Sequence, residues 1–152
     1  MGHSAGAHIA AMLTVNEGYL AAVGVPENSI RGTIGLAGPY AFYPSRTANV
    51  APIFAHLADE NAARPIRFVD GDEAPMLLLH GKDDDTVFVF NTVNLSKVVR
   101  DAGGSARHII YPDVGHLGIL LALARPFNDI APVLNDAAAF IDGQPTPAAV
   151  GQ

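Results

Sequence analysis

Three side chains in this sequence could perform covalent acyl transfer if the fold brought them together: Ser4, one carboxylate of the run Asp83-Asp84-Asp85, and His116. Ser4 stands in Gly2-His3-Ser4-Ala5-Gly6. This G-x-S-x-G spacing belongs to a sharp turn between strand and helix that lifts a serine hydroxyl clear of a sheet. The flanking glycines Gly2 and Gly6 fit that reading, because a side chain at either is expected to collide with the neighbouring strand or helix. A serine hydroxyl is a weak nucleophile at neutral pH and needs a base. An imidazole can take its proton during attack and return it to the leaving group, while a carboxylate orients the ring and stabilises its cation. The backbone N–H of Ala5, at the head of the helix, is the expected oxyanion donor. No metal or organic cofactor is required for this chemistry.

Elements must exist to position these groups. Ala5 to Thr14 is alanine-rich with Ile9, Met12 and Leu13 at helical spacing, which supplies the helix after the serine. Only Met1 precedes Gly2, so the strand before the serine is short of the usual length of about five residues. Asn16 is placed to cap a short helix through Tyr19, Leu20 and Val23, and Arg31 to Ala37 reads as a strand ended by Gly38-Pro39. From Tyr40 to Ala74 prolines interrupt any long element, leaving an excursion over the sheet with a short helix around Ile53 to Leu57. Met76 to His80 is a continuous apolar run, as expected for a strand buried on both faces of a parallel sheet. Leu95, Val98, Val99 and Ala102 repeat at helical spacing before Gly103-Gly104; Ala106 to Tyr111 is the next strand. A helix begins near Leu117, and a last amphipathic one carries Ile130, Val133, Leu134, Ala137 and Ile141 up to Gly143. Alternating strands and helices imply a parallel sheet covered on both faces, whose functional groups gather past the carboxyl ends of its strands. The aspartate run follows one such strand and His116 follows another.

Composition narrows the function classes. Hydrophobic residues at 49% and charged residues at 16% of 152 describe one globular domain with a sizeable core. Nine basic against fifteen acidic residues, with no basic cluster, have the wrong sign for nucleic acid or an anionic membrane. The absence of cysteine excludes disulfides, thiolate-bound zinc and a cysteine nucleophile. No apolar run reaches transmembrane length and the start is not a signal peptide, so the chain as written is expected in the cytoplasm. Consecutive carboxylates without calcium-loop spacing make a poor metal site.

Four pieces occur together: Gly2-His3-Ser4-Ala5-Gly6-Ala7-His8; Gly35-Leu36-Ala37-Gly38-Pro39-Tyr40; Pro75 to Gly81 with Asp84 and Val87; and Tyr111-Pro112 with Gly115-His116. In this order they resemble the carboxyl-terminal part of an α/β-hydrolase of the carboxylesterase type, close to the bacterial esterase and lipase-like group that includes aryl formamidases. The resemblance covers nearly the whole chain. It implies a partial α/β-hydrolase fold in which the amino-terminal strands are missing: a single domain over 1–143, then a flexible tail over 144–152. It also picks Asp84 from the three aspartates, with Asp85 second, and assigns Ser4, Asp84 and His116 as a triad. The implied activity is ester hydrolysis of a small-molecule substrate through an acyl-enzyme. An amidase or aryl formamidase, a peptidase of the prolyl-oligopeptidase type and an inactive truncated remnant are the alternatives. His3, Tyr40 and Phe42 are expected beside the substrate pocket. The strand-to-helix loop that would give the other oxyanion donors has no counterpart here, so Met1 is expected to be an internal methionine of a longer enzyme, and the uncovered sheet edge is a candidate surface for self-association.

Overall fold

The computed structural model of the chain describes residues 1–144. Its centre is a sheet of four parallel strands: β1 (Gly2–His3), β2 (Thr33–Leu36), β3 (Met76–Gly81) and β4 (Ala106–Tyr111), adjacent in sequence order. Register is fixed along the whole sheet, with Gly2 opposite Gly35, Gly35 opposite Leu78, and Leu78 opposite His108. Parallel neighbours need crossovers, and helices α1 (Ala5–Val15), α2 (Gly18–Ala21), α3 (Ala51–Phe54) and α4 (Phe90–Asp101) lie within those between β1 and β4. Two more, α5 (Gly118–Leu121) and α6 (Val133–Asp142), follow β4.

The alternation of β3 sorts the core into two layers. Met76 and Leu78 pack with Ala7, Ala11 and Val15 of α1 and Leu95 and Val99 of α4. Leu77 and Leu79 face the opposite way, against Ile119 of α5 and Val133 and Ala137 of α6. Cover on both faces is why Met76 to Leu79 reads as an unbroken apolar run, with the buried His80 as the polar exception at its end. The sheet and its helices match the expected class.

Several boundaries moved for identifiable reasons. The last helix begins at Val133 and not at Ile130, because Pro132 occupies the cap position and disfavours helical backbone at the residue before it. The second helix is confined to Gly18–Ala21; Asn16 contributes by accepting the Gly18 N–H on Oδ1 at 3.1 Å. In the excursion the short helix falls at Ala51–Phe54, earlier than the expected Ile53 to Leu57. That excursion is organised around the buried Arg64, which donates to the carbonyls of Ala41 and Phe42 and to Asn61 Oδ1 and lies 3.7 Å over the Tyr43 ring. The expected tail falls outside the described residues beyond Gln144. No helix among the described residues is long and apolar enough to cross a membrane.

Candidate active site

Ser4 follows β1 directly and precedes α1, at φ 53° and ψ −120°. A non-glycine residue with positive φ stores roughly 1–3 kcal/mol of strain and persists only where its surroundings fix it. Here the Ser4 N–H continues the ladder by donating to the Leu36 carbonyl at 2.9 Å, while its own carbonyl accepts from His8 in the first turn of α1. Gly2 is needed for this turn: a Cβ there would sit 2.3 Å from the Gly6 carbonyl carbon and oxygen. The same expectation is corrected at Gly6, where a Cβ would meet nothing within 4 Å. Ala5 is the first residue of α1, so its N–H is one of the four that an α-helix leaves without an intrahelical acceptor.

The other strand ends supply the partners. Asp84 is buried in the loop after β3, and its Oδ1 accepts the backbone N–H groups of Thr86 at 2.9 Å and Val87 at 2.8 Å. Its Oδ2 lies 2.7 Å from His116 Nδ1, and His116 Nε2 lies 3.0 Å from Ser4 Oγ. With hydrogen on Nδ1, His116 donates to the carboxylate and accepts the serine proton. The acid and histidine loops are pressed together. Asp83 N–H donates to the Val114 carbonyl at 3.0 Å and Lys82 N–H to that of Tyr111 at 2.8 Å. Gly81 permits this approach, since a Cβ on it would fall 2.1 Å from the Val114 carbonyl oxygen.

His3 is in contact with the histidine loop: its Nε2–H donates to the His116 carbonyl at 2.9 Å, and the two rings are 4.7 Å apart. The aromatic residues divide differently from expectation. Tyr40 is fully buried in the layer beneath α1 and α4, where Gly35 and Gly38 leave room for its ring, so it packs the core and does not line an open pocket. Phe42 is half-buried in a cluster with His8 and Phe54. A cavity of about 320 Å³ beside that cluster is lined by His8, Ile9, Met12 and Phe54 among others, and Ser4 is not in its wall.

Two groups close to the site, His80 and Thr92, were given no catalytic role by the sequence, where His80 reads as a structural or lining histidine. His80, fully buried at the end of β3, places Nε2 2.7 Å from the Val87 carbonyl and 3.2 Å from Asp84 Oδ2, and Nδ1 2.7 Å from Thr92 Oγ1 of α4. Burial pushes its pKa below the usual 6.5. A histidine in an otherwise apolar strand was the available signal. No cluster of three or more potential metal ligands occurs among the described residues.

A serine in a strained strand-to-helix turn, joined to a histidine and a buried acid from two later strand ends, is the arrangement of a serine hydrolase. The sequence model of the prolyl oligopeptidase family matches residues 1–144. The chain belongs to the prolyl oligopeptidase family. No curated protein resembles it closely enough to count as a match. Among solved structures, the carboxylesterase Cest-2923 from Lactobacillus plantarum WCFS1 aligns over 93% of this chain with a TM-score of 0.74 at 14% identity. Thermogutta terrifontis esterase 2 phosphonylated by sarin aligns over 97% with a TM-score of 0.71 at 18% identity. A truncated carbohydrate esterase from gut microbiota gives 93%, 0.69 and 22%. These likenesses show that this member of the prolyl oligopeptidase family has an α/β-hydrolase fold, and a partial one: the chain spans 56–57% of the lengths of these three structures.

Proposed function

We propose that this chain is the triad-bearing part of a serine hydrolase that cleaves carboxylic esters through an acyl-enzyme on Ser4. The observation that carries the reading is the continuous hydrogen-bonded path from Ser4 Oγ through His116 to Asp84. Ser4 Oγ attacks the ester carbonyl carbon as its proton passes to His116 Nε2; the tetrahedral oxyanion is met by the Ala5 N–H at the head of α1. Collapse breaks the bond to the alkoxy oxygen, which takes the proton from Nε2 and leaves as the alcohol. Water, deprotonated by the same nitrogen, then attacks the acyl-enzyme, releasing the acid and regenerating Ser4. Asp84 keeps the ring in the required tautomer and stabilises the imidazolium.

Esterases are the structural neighbours, and one is known phosphonylated by sarin, which makes a fluorophosphonate the appropriate probe. Intact-mass analysis of the purified chain after exposure is expected to show one adduct, mapped to Ser4 and absent from Ser4→Ala. No adduct on a folded chain would count against the reading and favour an inactive remnant. Family membership gives specific weight to a second reading, cleavage of peptide or amide bonds by the same three residues. Relative rates on a short p-nitrophenyl ester, an N-formyl arylamide and a prolyl p-nitroanilide separate the two; a prolyl anilide cleaved faster than the ester would favour the second.

A further inference from the structure

The Asp84 carboxylate has four donors around it: Thr86 and Val87 N–H on Oδ1, His116 Nδ1 on Oδ2, and His80 Nε2 also on Oδ2. The first two are backbone groups of its own loop. The fourth comes from β3, and its protonation can be deduced. Both atoms facing His80 Nε2, the Val87 carbonyl oxygen and Asp84 Oδ2, can only accept, so Nε2 must carry a hydrogen. Burial keeps the ring neutral, so Nδ1 is bare and accepts the Thr92 hydroxyl proton. One imidazole therefore joins the end of β3, the acid loop and the first turn of α4.

We propose that His80 is a positioning residue for the triad: its single Nε2–H, shared between the Val87 carbonyl and Asp84 Oδ2, fixes the orientation in which the Asp84 carboxylate meets His116. The role has a geometric basis. Oδ1 alone is held by the loop, and a carboxylate pinned at one oxygen can still rotate about its χ2. A donor on Oδ2 from a separate element removes that freedom. Thr92 fixes the ring that provides the donor. This rests on the reading of Asp84 as the acid that serves Ser4.

His80→Gln and His80→Met test it in the full chain, since the two side chains have similar length and only glutamine carries an N–H where Nε2 lies. Two readouts are taken: the rate of fluorophosphonate labelling at Ser4, and the downfield proton resonance of His116 Nδ1–H, which reports the bond to Asp84 whether or not Ser4 reacts. Glutamine is expected to retain most of the labelling rate, and methionine to lose about tenfold or more relative to it, as for a lost charge-assisted hydrogen bond. The resonance is expected to persist in the first variant and to broaden or move upfield in the second. Labelling rates within twofold of each other, together with an unchanged resonance in both, would overturn the proposal. Should either variant fail to fold, Thr92→Val decides: it frees the ring, and is expected to broaden the same resonance, whereas an unaltered signal would overturn the assignment. Wild-type chain that resists labelling would sink the hydrolase reading alone, leaving the resonance to judge His80.

Discussion

Asp84 and Asp85 are neighbours in sequence with opposite surroundings, which makes the acid assignment testable at single residues. Asp84 is buried and receives donors on both oxygens, whereas Asp85 is exposed and accepts from Thr86 Oγ1 at 3.4 Å. Asp84→Asn is expected to slow labelling of Ser4 by roughly a thousand- to ten-thousandfold, because the amide can favour the wrong tautomer of His116; Asp85→Asn is expected to stay within about twofold, as exposed substitutions do. Equal effects in a time course of adduct formation would reverse the assignment. In the sequence it was the resemblance, through the matched positions His80, Gly81, Asp84 and Val87, that picked Asp84, since three adjacent aspartates cannot be told apart by residue type. Tyr40 shows the limit: an aromatic residue after Gly-Pro reads equally as pocket or core until Gly35 and Gly38 are seen to hollow out its place. A second prediction concerns protons. His8 and His80 both have pKa values lowered from 6.5 by burial, so below that value the unfolded chain binds protons that the folded one excludes. Their contribution is complete above pH 6.5 and is lost as pH falls below it. Urea midpoints are expected to drop between pH 7.5 and 5.5, and less steeply in His8→Phe.

At the scale of elements, the turn around Ser4 depends unequally on its glycines. Gly2→Ala drives a Cβ into the backbone of α1, and overpacking of this kind costs about 1–3 kcal/mol. Gly6→Ala, in the first turn of α1 with open space around it, is expected to be neutral or to stabilise by up to about 1 kcal/mol through lost backbone freedom in the unfolded chain. Thermal unfolding of the two variants checks the contrast, and equal losses would mean that the turn is not held as described. The long elements were legible where pattern and burial coincide: Ala106–Tyr111 falls at its expected bounds, and the apolar run of β3 extends only one residue further, to Gly81. The excursion was not legible. Prolines at 44, 52 and 65 set backbone angles locally, but what holds the segment is Arg64 reaching carbonyls some twenty positions back, a link that no local pattern encodes.

Considered as a whole, the molecule keeps its strained residues and the candidate site past the carboxyl ends of its strands. Ser4, Ala37 and Asp113 are the non-glycine residues with positive φ among those described, and all three lie just past the carboxyl ends of β1, β2 and β4. At the β1 end of the sheet, β1 has a hydrogen-bonded neighbour on one side only, among the described residues. Met1, beside β1, is 69% exposed, and Ile9 of α1, the helix packed on β1 and β2, is 57% exposed. Unpaired strand backbone beside apolar side chains is a template for pairing with another copy. We therefore expect the 152-residue chain to self-associate in a concentration-dependent way through this end. Light scattering after size exclusion would show mass rising above that of the monomer, and Ile9→Lys would shift the distribution back towards it. Leu134→Lys, on the exposed side of α6 across the sheet, controls for general loss of apolar surface and is expected to leave the distribution unchanged. A monomer at every concentration, or equal relief by both lysines, would place the association elsewhere or remove it.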